Sequence, residues 1–341
     1  MLDDAHRPEN SGRPARPDRR QFLGRVGATA LAVAGVAAGA VWLHDPRRGD
    51  EYFRQERETR GLHLPSFRVD RNSAAVDMAV ARGPDAASLV RAAFGEMGGM
   101  GQFVQRGDVV LLKPNVAFDR PPALGATTNP EVLVAVAQLC REAGADRILV
   151  ADNPINQPEG CFFKSGIQRA AAQVDAELIL PKPSAFEPLR IDGEVLGTWP
   201  LFYEPFREAT KVIGVAPCKD HNLCSASMTM KNWYGLLGGR RNQFHQHIHG
   251  IISDFPHMMH PTAVVLDATR VLMRNGPTGG SLSDVAEGNT VVVGTDMVAV
   301  DTFGYGLLGR DAPAPEYLPR AEARGLGTTK WRDQVWREVQ V

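Results

Sequence analysis

Short uninterrupted apolar runs, separated by helix-length segments, constrain this chain more than any other feature. Val109–Leu112 and Ile148–Ala151 are four-residue runs with no polar interruption. Such runs suit strands buried on both faces. Between them, Asn129-Pro130-Glu131 opens a segment that reads as helix through Ala143 and stops at Gly144. Asn is a good N-cap and Pro fits the first turn. The alternation continues. Ala75–Ala81, Glu177–Leu180, Lys211–Val215, Ala263–Leu266 and Thr290–Val293 read as strands, and Asp85–Met97, Gly166–Val174 and Asp296–Leu308 as helices. Strands alternating with helices predict an α/β fold: a mainly parallel sheet flanked by helices on both faces, Rossmann-like in architecture.

The alternation sets the organisation. Residues 69–312 form the α/β domain. Residues 181–210, with five prolines, read as an inserted cap, and 313–341 as a C-terminal helical tail. Residues 45–68 are charged and irregular, a linker. Residues 1–44 read as an address: a polar start, then Asp18-Arg19-Arg20-Gln21-Phe22-Leu23-Gly24, then an uncharged stretch from Val26 to Leu43. This resembles a twin-arginine export signal, although Asp18 and Gly24 depart from the usual pattern. Ala38-Gly39-Ala40 offers a cleavage site. The expectation is a periplasmic or extracytoplasmic protein that uses the twin-arginine translocase, membrane-anchored only if the signal is retained.

Charge excludes one class of partner. Lys plus Arg is 38 and Asp plus Glu 39, so there is no basic footprint for nucleic acid. Four cysteines in 341 residues do not make a disulfide framework.

In open α/β sheets, ligands bind beyond the carboxyl ends of the strands. Here those ends are decorated with Lys113-Pro114-Asn115, Asp152-Asn153-Pro154, Pro217-Cys218-Lys219-Asp220-His221, Asp267 and Asp296. Asp296 and Asn153 alone read as caps or turn residues. The set predicts a site in which Lys113, Asp152, Lys219 and Asp267 do acid–base work on a small anionic ligand.

Residues 218–260 also hold six of the nine histidines and two of the four cysteines. Cys218-x-x-His221-x-x-Cys224, with His245, is a candidate ligand set for Fe, Zn or Cu, or for an iron–sulfur type centre. Two alternatives stand beside it: a local Cys218–Cys224 disulfide, and histidines that are simply solvated. Phe244, Ile248, Ile251, Ile252 and Phe255 recur at a helical period, so His245–His249 is expected on a helix. Lys231 and Asn232 precede a glycine-rich turn, and Gly276-Pro277-Thr278-Gly279-Gly280 is a second one. With Asn115, these supply candidate cofactor-binding residues: Lys231, Asn232, Gly276 and Gly279. Simple turns are the alternative. No Gly-x-Ser-x-Gly elbow or His-Glu-x-x-His helix supports a hydrolase.

Lys113-Pro114-Asn115, Asp152, Cys218-Lys219-Asp220-His221, Met230-Lys231-Asn232-Trp233-Tyr234-Gly235, Asp267 and Gly276–Gly280 together resemble domain-of-unknown-function family 362, over roughly residues 105–310. The resemblance implies a poorly characterised prokaryotic family. Many of its members carry a ferredoxin-like cluster domain, and its nucleus looks remotely similar to that of the lactate racemase group. This chain has no Cys-x-x-Cys-x-x-Cys run, so a ferredoxin role does not follow. The function expected is metal- or cofactor-dependent redox or proton-transfer chemistry on a small anion. The alternative is a non-catalytic periplasmic anion binder.

Overall fold

The computed structural model describes residues 62–71 and 74–341. The export-signal reading and most of the 45–68 linker lie outside the described residues. Nine strands form the central sheet. Its path runs β11 (Trp336–Gln340), β1 (Met78–Arg82), β10 (Val285–Gly294), β9 (Ala263–Leu272), β7 (Lys211–His221), β2 (Val109–Lys113), β3 (Arg147–Ala151) and β4 (Glu177–Ile179). A ninth short strand, β8 (Ser225–Ser227), folds back antiparallel on β7. Along the path, β10 alone runs antiparallel to its neighbours. All the other pairs are parallel, including β2 and β3, which pair Val109 with Arg147 through Leu112 with Val150. The fold is the expected α/β class.

Alternation along the strands builds two cores. Val110 and Leu112 face one, with α1 (Ala86–Glu96), α2 (Pro130–Glu142), α3 (Pro158–Lys164) and α4 (Ile167–Gln173). Leu111 faces the other, with α5 (Thr229–Asn232), α6 (Ile248–Met258), α7 (Met297–Leu307) and α8 (Tyr317–Ala323). Helices therefore cover both faces. The starts of α1 and α2 are capped as their residues dictate. Asp85 accepts from Ser88 N at 2.8 Å, and Asn129 from Glu131 N at 3.1 Å. Each such cap is worth about 1 kcal/mol.

Several elements depart from the sequence expectation. β7 has eleven residues and continues past Val215 to His221, while β9 continues past Leu266 to Leu272. Cys218–His221 and Asp267 thus lie within strands rather than beyond them. Because β10 is antiparallel, Asp296 sits at the opposite rim, where its carboxylate caps α7 through Val298 N and Ala299 N. The 181–210 insertion is a two-stranded hairpin, β5 (Phe186–Arg190) with β6 (Thr198–Phe202). The 313–341 tail is not wholly helical: β11 adds an edge strand parallel to β1. The end of the 45–68 linker also belongs to the domain, since Phe67 is buried and its N–H donates to His260 O.

The hairpin is anchored by one carboxylate. Asp254 in α6 is 0% exposed and accepts from Glu194 N, Val195 N and Leu196 N at 2.8–2.9 Å. Arg324 Nη1 pairs with it at 2.7 Å. Gly193 is required beside it, because a Cβ there would lie 2.5 Å from the carboxylate.

Candidate functional site

A cavity of about 260 Å³ opens at the carboxyl ends of β2, β3 and β7. Its walls combine Lys113, Asn115, Asp152, Lys219, His221, Lys231, Asn232 and His245 with Phe118, Tyr234 and Arg241. The structure therefore brings together residues that are separated by more than a hundred positions in the chain.

Lys113 ends β2 and is 1% exposed. Its ammonium pairs with Asp152 at 2.7 Å and donates to Asn232 Oδ1 and Pro114 O, both at 2.9 Å. Burial pushes the Lys113 pKa down, and Asp152 opposes the shift. Asp152 also accepts from Val116 N at 2.7 Å, which ties β3 to the loop after β2.

The two asparagines orient the amines. Asn232 Nδ2 donates to Lys113 O at 3.1 Å, so its Oδ1 must face Lys113 Nζ and Asn115 Nδ2. That turns Asn115 Oδ1 toward Lys219 Nζ, at 3.2 Å. Lys219 also donates to Ala126 O at 2.5 Å. It is 2% exposed, and no carboxylate lies within ion-pair distance of it among the described residues. Burial, then the Lys231 and Lys113 charges, lower its pKa to about 7, against an opposing pull from Asp152.

Lys231 differs from both. Its Nζ has no hydrogen-bond or ion-pair partner among the described residues and lies 5.2 Å from the centroid of the Tyr234 ring. Burial lowers its pKa. Arg241 follows the Gly238–Gly239 turn. Its guanidinium donates to Asn153 O, Gly235 O, Leu237 O and Pro154 O. Most of its donors are spent on backbone, so it braces the loops and adds charge to the cavity. Tyr234 donates its hydroxyl proton to Arg241 O at 2.6 Å. The wall thus carries four basic side chains, Lys113, Lys219, Lys231 and Arg241, against the single carboxylate of Asp152.

His221 Nδ1 accepts from Leu223 N at 3.2 Å, which puts the proton of a neutral ring on Nε2. Burial, with the Lys231 and Lys219 charges, lowers its pKa to about 2. His245 stacks on Tyr234, with ring centroids 5.6 Å apart. His249 stacks instead on Tyr317, because the 3-10 turn Arg241–His247 gives way to α6 at Ile248.

The proposed metal set does not assemble. Side chains alternate along β7, so Lys219 faces the cavity while Cys218 faces the opposite core, its thiol toward Gly304 O at 3.5 Å. The Cys224 thiol points to Ala226 O at 3.2 Å. Burial raises the pKa of both thiols, that of Cys224 to about 11. Among the described residues no group of three or more His, Cys, Asp or Glu is placed to hold a metal ion. A surplus of cationic side chains beside His221 and His245 also opposes a bound cation. The residues present do not fit a metal centre built on Cys218, His221, Cys224 and His245. Nor is there a disulfide: Cys140, Cys161, Cys218 and Cys224 are all free and buried.

Two further expectations change. Asp267 does not line the cavity. It is held by Asn129 N, Thr269 N and Thr269 Oγ1, and so positions the start of α2. Gly276 and Gly279 do not form an anion nest, because Gly276 N donates to Asp220 Oδ2 and Gly279 N to Asn275 O. Arg241 was not anticipated. A double arginine after two glycines reads as a solvated turn, and its carbonyl partners Asn153 and Pro154 lie far upstream.

The family model described as "Domain of unknown function (DUF362)" matches residues 110–306. The chain belongs to this family. The matched stretch contains every residue that lines the cavity. The DUF362 chain is 26% identical over 248 residues to the thylakoid-associated protein sll1697 of Synechocystis, covering 68% of this chain and 73% of that one. Among solved structures it is similar to a protein of Thermotoga maritima, with TM-score 0.34 and 10% identity over 72% of this chain. It is also similar to the lactate racemase apoprotein of Thermoanaerobacterium thermosaccharolyticum, with TM-score 0.35 and 12% identity over 69% of this chain. It spans 60% and 58% of those two solved chains.

Proposed function

We propose that this protein binds a small organic carboxylate in the cationic cavity and performs proton-transfer chemistry on it. One observation carries the reading: Lys231 is a part-buried cation facing the cavity, with no hydrogen-bond or ion-pair partner among the described residues, in a wall where the other charged groups are occupied. Withdrawing a charge from water is costly unless it is paired, so even the partial burial of Lys231 favours an anion beside it. A ligand carboxylate is the missing counter-ion. The exposed donors favour a monoanion over phosphate, since the guanidinium of Arg241 is committed to carbonyls and no glycine nest is free. The Lys113–Asp152 pair can hold or give a proton, and Lys219 can take one at neutral pH. Export is proposed on Arg19-Arg20 and the apolar run that follows, and a reporter fusion with an Arg19→Lys, Arg20→Lys variant tests it. Reporter activity outside the cytoplasm that the variant keeps would overturn the twin-arginine route.

Titration calorimetry with pyruvate, acetate and inorganic phosphate tests the site. Saturable carboxylate binding that weakens with salt and weakens further, roughly thirtyfold, in Lys231→Met is expected. Equal binding by wild type and variant overturns the reading, as does preference for phosphate.

A further inference from the structure

Two buried lysines, Lys113 and Lys219, and a part-buried one, Lys231, share the cavity, and each has a different set of partners. Lys113 has a counter-ion, and Lys231 has only the face of the Tyr234 ring among the described residues. Lys219 has two neutral acceptors, the Phe118 ring centroid 5.3 Å from its Nζ, and no carboxylate within ion-pair distance among the described residues. An ammonium offers three N–H donors and seeks an anion. A neutral amine offers two donors and a lone pair. Asn115 Oδ1 and Ala126 O match the second description. The orientation of Asn115 is not free, because it is handed down from Lys113 O through Asn232. With both N–H bonds directed at these acceptors, the lone pair points away from them.

Resting on the carboxylate-binding reading above, we propose that Lys219 is a nucleophile that condenses with the carbonyl of a small 2-oxo acid whose carboxylate is held by Lys231. The amine lone pair attacks the carbonyl carbon and forms a C–N bond. The C=O π pair moves to oxygen, which takes one proton from the nitrogen, giving a carbinolamine. The nitrogen lone pair then forms C=N as the hydroxyl leaves with the second nitrogen proton. One amine and one carbonyl become one imine and one water, with no oxidant or reductant. The lowered proton affinity of Lys219 agrees with this role and follows from the same burial and the two neighbouring lysine charges. A cavity of about 260 Å³ holds a three- or four-carbon acid.

The test is reductive trapping on the full chain. Protein is incubated at neutral pH with pyruvate and cyanoborohydride, then mapped by peptide mass. The expected result is one adduct, on Lys219, formed more than about a hundredfold faster than on an ordinary lysine, whose neutral fraction at pH 7 is below about 0.1%. Lys219→Met should abolish it, and the map of the unaltered protein decides the matter even if that variant does not fold. Acetaldehyde, which has no carboxylate, separates the two ideas. Pyruvate that binds by calorimetry but traps nowhere overturns the Lys219 proposal and leaves the anion site standing. Equal trapping of pyruvate and acetaldehyde on Lys219, unaffected by Lys231→Met, keeps the nucleophile and overturns the anion site. Adducts spread over surface lysines, or none with either carbonyl, overturn the nucleophile.

Discussion

Asp254 and Lys231 are charged groups on neighbouring helices, α6 and α5, one wholly and one partly withdrawn from water, and they are treated in opposite ways. Asp254 meets three backbone N–H groups and a guanidinium. Lys231 meets an aromatic ring and open cavity. The first arrangement consumes the charge to fix the β5–β6 hairpin. The second leaves the charge available. A satisfied buried ion is architecture, whereas an unsatisfied one facing a cavity stores interaction energy that a ligand of opposite sign can recover.

Substitution can break that contrast at either end. Asp254→Ala is expected to cost about 3 kcal/mol in denaturant unfolding, because it strands three N–H groups and leaves Arg324 with Glu194 as its one carboxylate partner among the described residues. Pyruvate affinity of the protein that remains folded should be unchanged. Lys231→Met should do the reverse. Affinity falls by about 2 kcal/mol, roughly thirtyfold, while the unfolding midpoint stays level or rises. If Lys231→Met destabilises the fold as Asp254→Ala does, the distinction between the two regions collapses.

Lys219 gives a pH signature. Its folded value of about 7 lies below the ordinary 10.5, so between the two the unfolded chain binds the extra proton. Stability should therefore rise as pH climbs from about 7 to about 10.5, and that rise should shrink in Lys219→Met when unfolding is followed across pH. The four thiols sharpen the picture further. All are buried, so a thiol reagent should modify none until the protein unfolds, and Cys218→Ser should leave pyruvate affinity intact. The smallest effect is expected at the surface pair Arg91–Glu142, 2.6 Å apart but about half exposed. Arg91→Ala should cost less than about 1 kcal/mol there.

Much of the sheet was legible because local signals agreed. Val109–Leu112 and Ile148–Ala151 could hardly be anything but doubly buried strands, and Asp85 and Asn129 cap where their chemistry suggests. Strand direction is not a local property, which is why Asp296 was set on the wrong rim. The continuation of β7 was hidden because Pro217 and the polar run Lys219-Asp220-His221 look like loop. The pairing with β9 shifts register between Pro217 and Lys219, and β8 supplies partners farther on. At the site, Lys113, Asn115, Asp152, Lys219, His221, Lys231, Asn232 and His245 were legible as a group facing one cavity. What could not be read was which neighbours each would find. The thiols looked like ligands because spacing was counted along the chain, while a strand sends adjacent side chains to opposite faces.

That alternation in β7 has a consequence for how such a chain can change. Cys218 and Lys219 are separated only by parity. Losing one residue anywhere from Lys211 to Pro217 would turn the thiol toward the cavity and bury the amine in the far core. Losing two would restore the facing but draw the amine back from Asn115 by about 7 Å. Upstream of the site, then, this family can explore new sequence by substitution but hardly by length.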